Sequence, residues 1–183
     1  QSFKIINNKL VVSNKEIKLG SFENENDIEG LTHDGVYFYA IGSHGLSKKA
    51  GRFDQSRYKL FKLLIGKAGD LLELNELPLS HLLSTHPKLK KYYKKELNKN
   101  GINIEGLAYE RGSLYIGFRA PLIEGRAQIL RISLNDFSLN GSELFSIDLK
   151  GEGIRSLEFF KGDLYGASGA NLPGAKQISK FFK

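Results

Sequence analysis

Apolar positions along this chain fall into short alternating runs separated by Gly, Asn and Ser, with little of the three-to-four spacing that marks helices. That pattern predicts strands over 2–6, 9–13 and 16–22, then 28–33, 36–42, 58–65 and 70–77. It predicts a further set over 102–109, 113–119, 126–133 and 142–148, and a last set over 154–160, 163–168 and 176–182. One stretch departs from alternation. Between Ser80 and Leu97, Leu82, Leu83, Leu89, Tyr92, Tyr93 and Leu97 recur at roughly helical spacing and read as packing groups. Thr85 with Pro87 reads as a helix start and Asn100-Gly101 as its stop, so most of this insert is expected to be helical. The polar stretch from Ser43 to Arg57 reads as an exposed connection.

A phrase inside these runs recurs. Asp27-Ile-Glu-Gly-Leu-Thr-His-Asp-Gly35 is followed by a Tyr-containing run, Asn103-Ile-Glu-Gly-Leu-Ala-Tyr-Glu-Arg-Gly112 by Ser-Leu-Tyr, and Gly153-Ile-Arg-Ser-Leu-Glu-Phe-Phe-Lys-Gly162 by Asp-Leu-Tyr. An apolar run, a Gly turn and a second apolar run form a β-hairpin. Repetition at intervals of tens of residues means one supersecondary unit used several times. Four antiparallel strands per unit is the rhythm of β-propeller blades. The fold class is therefore all-β and propeller-like, with one helical insertion over 80–98. The expected divisions are a partial blade over 1–26, a blade over 27–101, a blade over 102–150 and a partial blade over 151–183. So few blades make an incomplete propeller, which needs further chain or a partner chain to close its ring.

In such a fold the start of a blade's first strand and the end of its second meet on one face. Asp27 and Glu29 are thereby brought near Ser43 and His44, Asn103 and Glu105 near Arg119, and Arg155 near Ser168. Glu29, Asn103, Glu105, His44, Arg119 and Arg155 are the candidate ligand-binding residues, in a concave mixture of charges suited to a small polar or anionic ligand. Asp27, Glu29 and Glu105 are hard oxygen donors of the kind Ca²⁺ takes, with His44 as a further ligand or base, and a bound cation could assist hydrolysis of an ester or phosphoester. The competing reading is structural: Glu29 and Glu105 satisfy Arg119, Arg126 and Arg155 as interlocking charges. His33, His81 and His86 are weaker candidates. His33 belongs to an exposed hairpin turn, and His86 caps or packs beside Pro87.

Composition narrows the chemistry. The chain has 183 residues and no Cys, so neither disulfides nor thiolate chemistry are open to it. It has no Gly-x-Ser-x-Gly elbow and no phosphate-binding Gly loop running from strand into helix. No apolar run is long enough to span a bilayer and no signal peptide occurs within these residues, which leaves cytoplasm and periplasm both open. A net charge of +7 is concentrated where Lys88, Lys90, Lys91, Lys94, Lys95 and Lys99 crowd together. Without Arg-rich or aromatic-interleaved strands this reads as a solvated face, or a contact for another macromolecule, and not as nucleic-acid recognition.

Six phrases in order carry a resemblance: Asp27-Ile-Glu-Gly-Leu, Ile41-Gly-Ser-His44, Asn103-Ile-Glu-Gly-Leu-Ala, Gly117-Phe-Arg-Ala-Pro-Leu122, Gly125-Arg126-Ala and Gly151-Glu-Gly-Ile-Arg155. Together, over Asp27 to Gly169, they resemble the bacterial family known as domain of unknown function 3616. The resemblance implies a β-propeller-like fold in chains that usually run longer, and implies no activity. Ala120 stands where that family usually has Gly, and the pattern fades beyond Ala170. More distantly, the Glu-Gly-Leu phrase is similar to those of calcium-dependent lactonase and gluconolactonase propellers and esterase-like phytases. In the lactonase type a Glu in such a phrase binds the metal.

Overall fold

Each copy of the repeated phrase folds as the opening hairpin of its own antiparallel sheet in a computed structural model, which describes residues 3–6, 9–12, 17–19, 26–47, 51–172 and 180–183. A short hairpin of β1 (Phe3–Ile6) and β2 (Lys9–Val12), described by its backbone, comes first. The first repeat sheet runs in the order β3 (Ile28–His33), β4 (Phe38–Gly42), β5 (Leu60–Ile65), β6 (Leu71–Glu76). The second runs β7 (Asn103–Glu110), β8 (Ser113–Ile123), β9 (Arg126–Ser133), β10 (Ser142–Ile147). The third runs β11 (Glu152–Phe160), β12 (Asp163–Ala170), β13 (Lys180–Phe182). All pairings are antiparallel, and the sheets form no closed barrel, as an incomplete propeller-like arrangement requires. Expected strand 16–22 is not seen at residues 17–19, and its remainder lies outside the described residues, as do residues 176–179 of the last expected strand.

Turn chemistry sets the registers. Arg111-Gly112 and Lys161-Gly162 both have positive φ, the geometry that lets a two-residue loop follow the twist of its strands. The first hairpin uses a longer turn, in which the Asp34 carboxylate accepts from the amides of Val36 and Tyr37 and from the Tyr39 hydroxyl at 2.7–2.8 Å. The three sheets stack through their first strands, β3 against β7 and β7 against β11.

Two layers of side chains fill the gaps. Tyr39, Ile41 and Leu60 meet Leu107, Leu114, Ile116 and Leu130 between the first and second sheets, and Tyr39 stacks on Tyr109. Ala108, Ala127, Ile129, Ile154 and Leu157 fill the gap between the second and third. Gly30 and Gly106 decide how closely the sheets approach. A Cβ on Gly30 would lie 2.8 Å from the Leu107 Cβ, and one on Gly106 would lie 2.9 Å from the Leu157 Cγ. Each Leu therefore enters a hole that only a residue without a side chain leaves open.

The insertion differs from expectation. Its α-helix, α1, covers Leu79–Thr85 alone and ends where a start was expected, with His86 as C-cap and Pro87 just beyond. Proline is as characteristic of the position after a helix as of its first turn, which is why the local signal misleads. The lysine-rich stretch is not an α-helix but holds two 3₁₀ turns, Lys90–Tyr92 and Leu97–Lys99. Its apolar residues do pack: Leu79, Leu82, Leu83 and Leu89 join the core, with Tyr92 and Tyr93 against it. Asn100, at φ 61°, ends the insert, and its side-chain amide clamps both the N–H and the carbonyl of Leu122 on β8. The stretch from Ser43 to Arg57 is not simply exposed either, since Ser43, His44, Gly45, Ser56 and Arg57 are buried.

Candidate functional site

The head residues of the three repeats share one backbone irregularity. In the first sheet Ile28 pairs with Gly42 and Gly30 with Ile41, leaving Glu29 as an extra residue. In the second, Ile104 pairs with Phe118 and Gly106 with Gly117, leaving Glu105. In the third, Ile154 pairs with Ser168 and Ser156 with Ala167, leaving Arg155. These are β-bulges, which bend a strand and re-aim the side chain of the extra residue. Because the bulges occur at one height in neighbouring first strands, the three side chains line one cavity of about 770 Å³. The cavity is completed by Asn103 at the start of β7, Arg119 on β8, Gly45 and Arg57 from the β4–β5 connection, and Glu96–Asn98 of the insert.

Its charges are tied together across sheets. Glu105 accepts from Arg119 Nη1 at 3.0 Å and from Arg155 Nη1 at 2.7 Å to Oε2 and 3.0 Å to Oε1. Arg119 Nε donates to the Asn171 carbonyl at 3.1 Å, and Arg155 Nη2 to the Ala170 carbonyl at 2.6 Å. The three side chains are 7–19% exposed, so solvent screens them weakly. Arg57 lines the same cavity from the β4–β5 connection. Its Nη2 pairs with Asp27, and its Nε donates to the Gly45 carbonyl at 3.1 Å. These bonds leave Nη1 of Arg57 and Nη2 of Arg119 without a hydrogen bond among the described residues. Asn103 is buried, and its Oδ1 has no hydrogen-bond partner among the described residues.

The expected residues are thus distributed in three ways. Glu29, Asn103, Glu105, Arg119 and Arg155 line the cavity. Asp27 lies behind its wall as the carboxylate partner of Arg57. His44 is not at the mouth: its ring is fully buried against Tyr58, with Nδ1 bonded to the Gly42 carbonyl at 2.9 Å and Nε2 without a partner among the described residues. Burial pushes its pKa down to about 4; the Gly42 carbonyl opposes that shift and the charge of Lys59 adds to it. Of the expected Glu–Arg pairs, Glu105 with Arg119 and Arg155 forms, while Arg126 is exposed at the start of β9 and outside the cavity. Ser168 donates to Glu152 at 2.6 Å. Among the described residues no three His, Asp or Glu side chains are grouped to hold a metal ion, and two of the three expected donors, Asp27 and Glu105, face guanidinium groups. Arg57 was missed by sequence reasoning. It is separated from Asp27 by thirty residues in a stretch that reads as loop, and only the Asp54–Ser56 turn that presents it gives a local signal.

The sequence profile described as "Protein of unknown function (DUF3616)" matches residues 5–70 and 66–179. The chain belongs to that family. Membership of DUF3616 extends on both sides of the phrases from Asp27 to Gly169 that suggested it. No curated protein matches this DUF3616 chain. Among solved structures, the computationally designed Ika4 protein matches at 15% identity over 92% of this chain and 98% of that one, with a TM-score of 0.34, too weak a likeness to bear on fold or function.

Proposed function

We propose that this protein binds a small anion bearing hydroxyl groups in the cavity between its three repeat sheets. The observation that carries this reading is local to one wall: Arg119 and Arg155 share the carboxylate of Glu105, although over the whole lining Arg57, Arg119 and Arg155 are matched in number by Glu29, Glu96 and Glu105. An anion beside that largely buried pair of guanidiniums is stabilised by them, since Glu29 is exposed and Glu96 is paired with Lys99, and a guanidinium is well shaped to present paired N–H groups to a carboxylate or phosphate. Asn103 Oδ1 and the carboxylate of Glu29 on the same cavity supply acceptors for the ligand's hydroxyls. Arg57, neutralised by Asp27, adds a further donor without adding net charge.

Calorimetric titration at constant ionic strength tests the reading, with inorganic phosphate, citrate and glucose 6-phosphate as anionic probes and glucose as the neutral control. At least one anion is expected to bind, glucose is not, and Arg119→Gln is expected to weaken the binding by about tenfold or more. Equal binding of glucose and the anions, or an Arg119→Gln variant that binds like the parent, would overturn it.

A further inference from the structure

The insert directs its apolar residues inward and its lysines outward. Residues 88–99 hold six lysines and one acid, so most of the chain's net charge of +7 lies in this one stretch. Leu89 is fully buried, and Tyr92 and Tyr93 pack against the same core. The amide of Tyr92 donates to the Leu89 carbonyl at 2.9 Å, and that of Ile102 to the Tyr92 carbonyl at 3.1 Å, so the stretch is fastened to the fold. Lys88, Lys90, Lys91, Lys94 and Lys95 are all exposed. None of the five has an ion pair among the described residues, whereas Lys99 is taken by Glu96 at 3.0 Å. Unneutralised ammonium groups held this close repel one another, and an extended anionic surface relieves that repulsion.

We propose that this lysine-bearing face docks on an anionic lipid bilayer, with the Phe53 ring entering the interface. Two observations favour a bilayer over other polyanions. The cations of residues 88–99 are lysines without exception. An ammonium is a compact point charge lacking the fork that reads a base edge, and it suits a diffuse plane of headgroups. An apolar ring also stands within the charge. Phe53 is 47% exposed although Lys94 Nζ lies over it, 3.7 Å from the ring centroid.

That ring is held in place from below. Its centroid is 4.7 Å from that of Tyr58, and Tyr58 meets the edge of Tyr93 at 5.6 Å. In water the ring stays half uncovered. Against a bilayer it passes into the headgroup region while Lys94 keeps its charge at the level of the lipid phosphates, as aromatic and lysine side chains do at membrane surfaces. Among the described residues no helix is long and apolar enough to cross a membrane. The contact is therefore peripheral, and salt should reverse it.

Co-sedimentation of the full chain with lipid vesicles tests the proposal. One set is phosphatidylcholine with about 40% phosphatidylglycerol, the other phosphatidylcholine alone. The chain is expected to pellet with the anionic set at about 50 mM salt, to ignore the neutral set, and to be released at about 300 mM. Replacing Lys88, Lys90, Lys91 and Lys95 together by Gln is expected to lower partitioning by about 100-fold or more, with the thermal midpoint kept. Lys67→Gln with Lys161→Gln, exposed in turns of other sheets, should lower it far less. The chain has no tryptophan, so Phe53→Trp supplies a single reporter whose emission should shift to the blue on anionic vesicles. A parent that ignores anionic vesicles, a fourfold lysine variant that binds like the parent, or Phe53→Trp emission unmoved on vesicles that do bind would each overturn the proposal. Equal affinity for duplex DNA would mark the face as a general polyanion contact and overturn it too.

Discussion

At the scale of single residues, Glu105 and His44 illustrate opposite uses of burial. Among the described residues Glu105 is the carboxylate that both guanidiniums share, so neutralising it leaves two weakly solvated cations beside each other. Glu105→Gln is expected to lower unfolding stability by about 3 kcal/mol, the low end of the usual cost of removing one partner from a buried ion pair, since these side chains keep some exposure. The same change removes a competing anion, so any phosphate or citrate binding should be kept or strengthened in titrations of the folded variant. His44 is held neutral: its folded pKa is about 4, below the ordinary value of 6.5. The unfolded chain therefore takes up a proton first as pH falls, and the folded form does not until near pH 4. Stability attributable to this histidine is fully present above about pH 6.5 and declines from there toward pH 4, by up to about 3 kcal/mol. Urea unfolding of the parent and of His44→Gln across that window checks it, the variant's profile being flatter. The pairing of Glu105 with Arg119 and Arg155 is one of the two readings the sequence offers, whereas the burial of His44 is not legible there, since Ile41-Gly-Ser-His44 reads equally well as placing a ligand at the cavity mouth.

At the scale of elements, the decisive feature is the bulge followed by a small residue and a leucine. The hydrophobic alternation and the turn residues place nearly every strand, because both depend on neighbours in sequence. The bulges do not show in that way. A residue is extra only with respect to its partner strand, and Glu29, Glu105 and Arg155 look like ordinary members of an alternating run until their pairings are known. Repetition was the usable signal, since it put the three at one place before their geometry was visible. The insert misled for the converse reason: Leu and Tyr at helical spacing describe a buried face, yet α1 covers only Leu79–Thr85 and two 3₁₀ turns supply the rest of that face. The interlock makes a sharp prediction. Gly106→Ala forces a Cβ to within 2.9 Å of the Leu157 Cγ and 3.1 Å of the Ile154 Cγ2. It should cost about 1–3 kcal/mol through overpacking. Leu157→Ala alone should also destabilise, by leaving a cavity. Combined, the two changes should cost less than their sum, and a double-mutant cycle by chemical denaturation measures that coupling.

At the scale of the molecule, the three sheets are unequally supported. The second sheet is covered on both faces, and β7, β8 and β9 contain most of its fully buried residues, while β10 at its margin has none. The third sheet has one covered face and one open face, and β13, its last strand, pairs over only three residues. Amide exchange should follow this order, because protected amides in a doubly covered sheet open only with the whole fold, whereas margins open locally. Amides of β7–β9 are expected to exchange slowest, those of β10 and β13 fastest, and those of β11 between them, as read by mass spectrometry of peptic fragments. The candidate site adds a condition to that order. Glu105 on β7 is bonded to Arg155 on β11, and Arg155 and Arg119 are tied to the carbonyls of Ala170 and Asn171 at the end of β12. An anion held between those guanidiniums would fasten the third sheet to the second, so citrate or phosphate at saturation should slow exchange in β11 and β12 while leaving β5 and β6 unchanged. Slowing spread evenly over all three sheets would instead mean general stabilisation by salt and would detach the anion from this cavity.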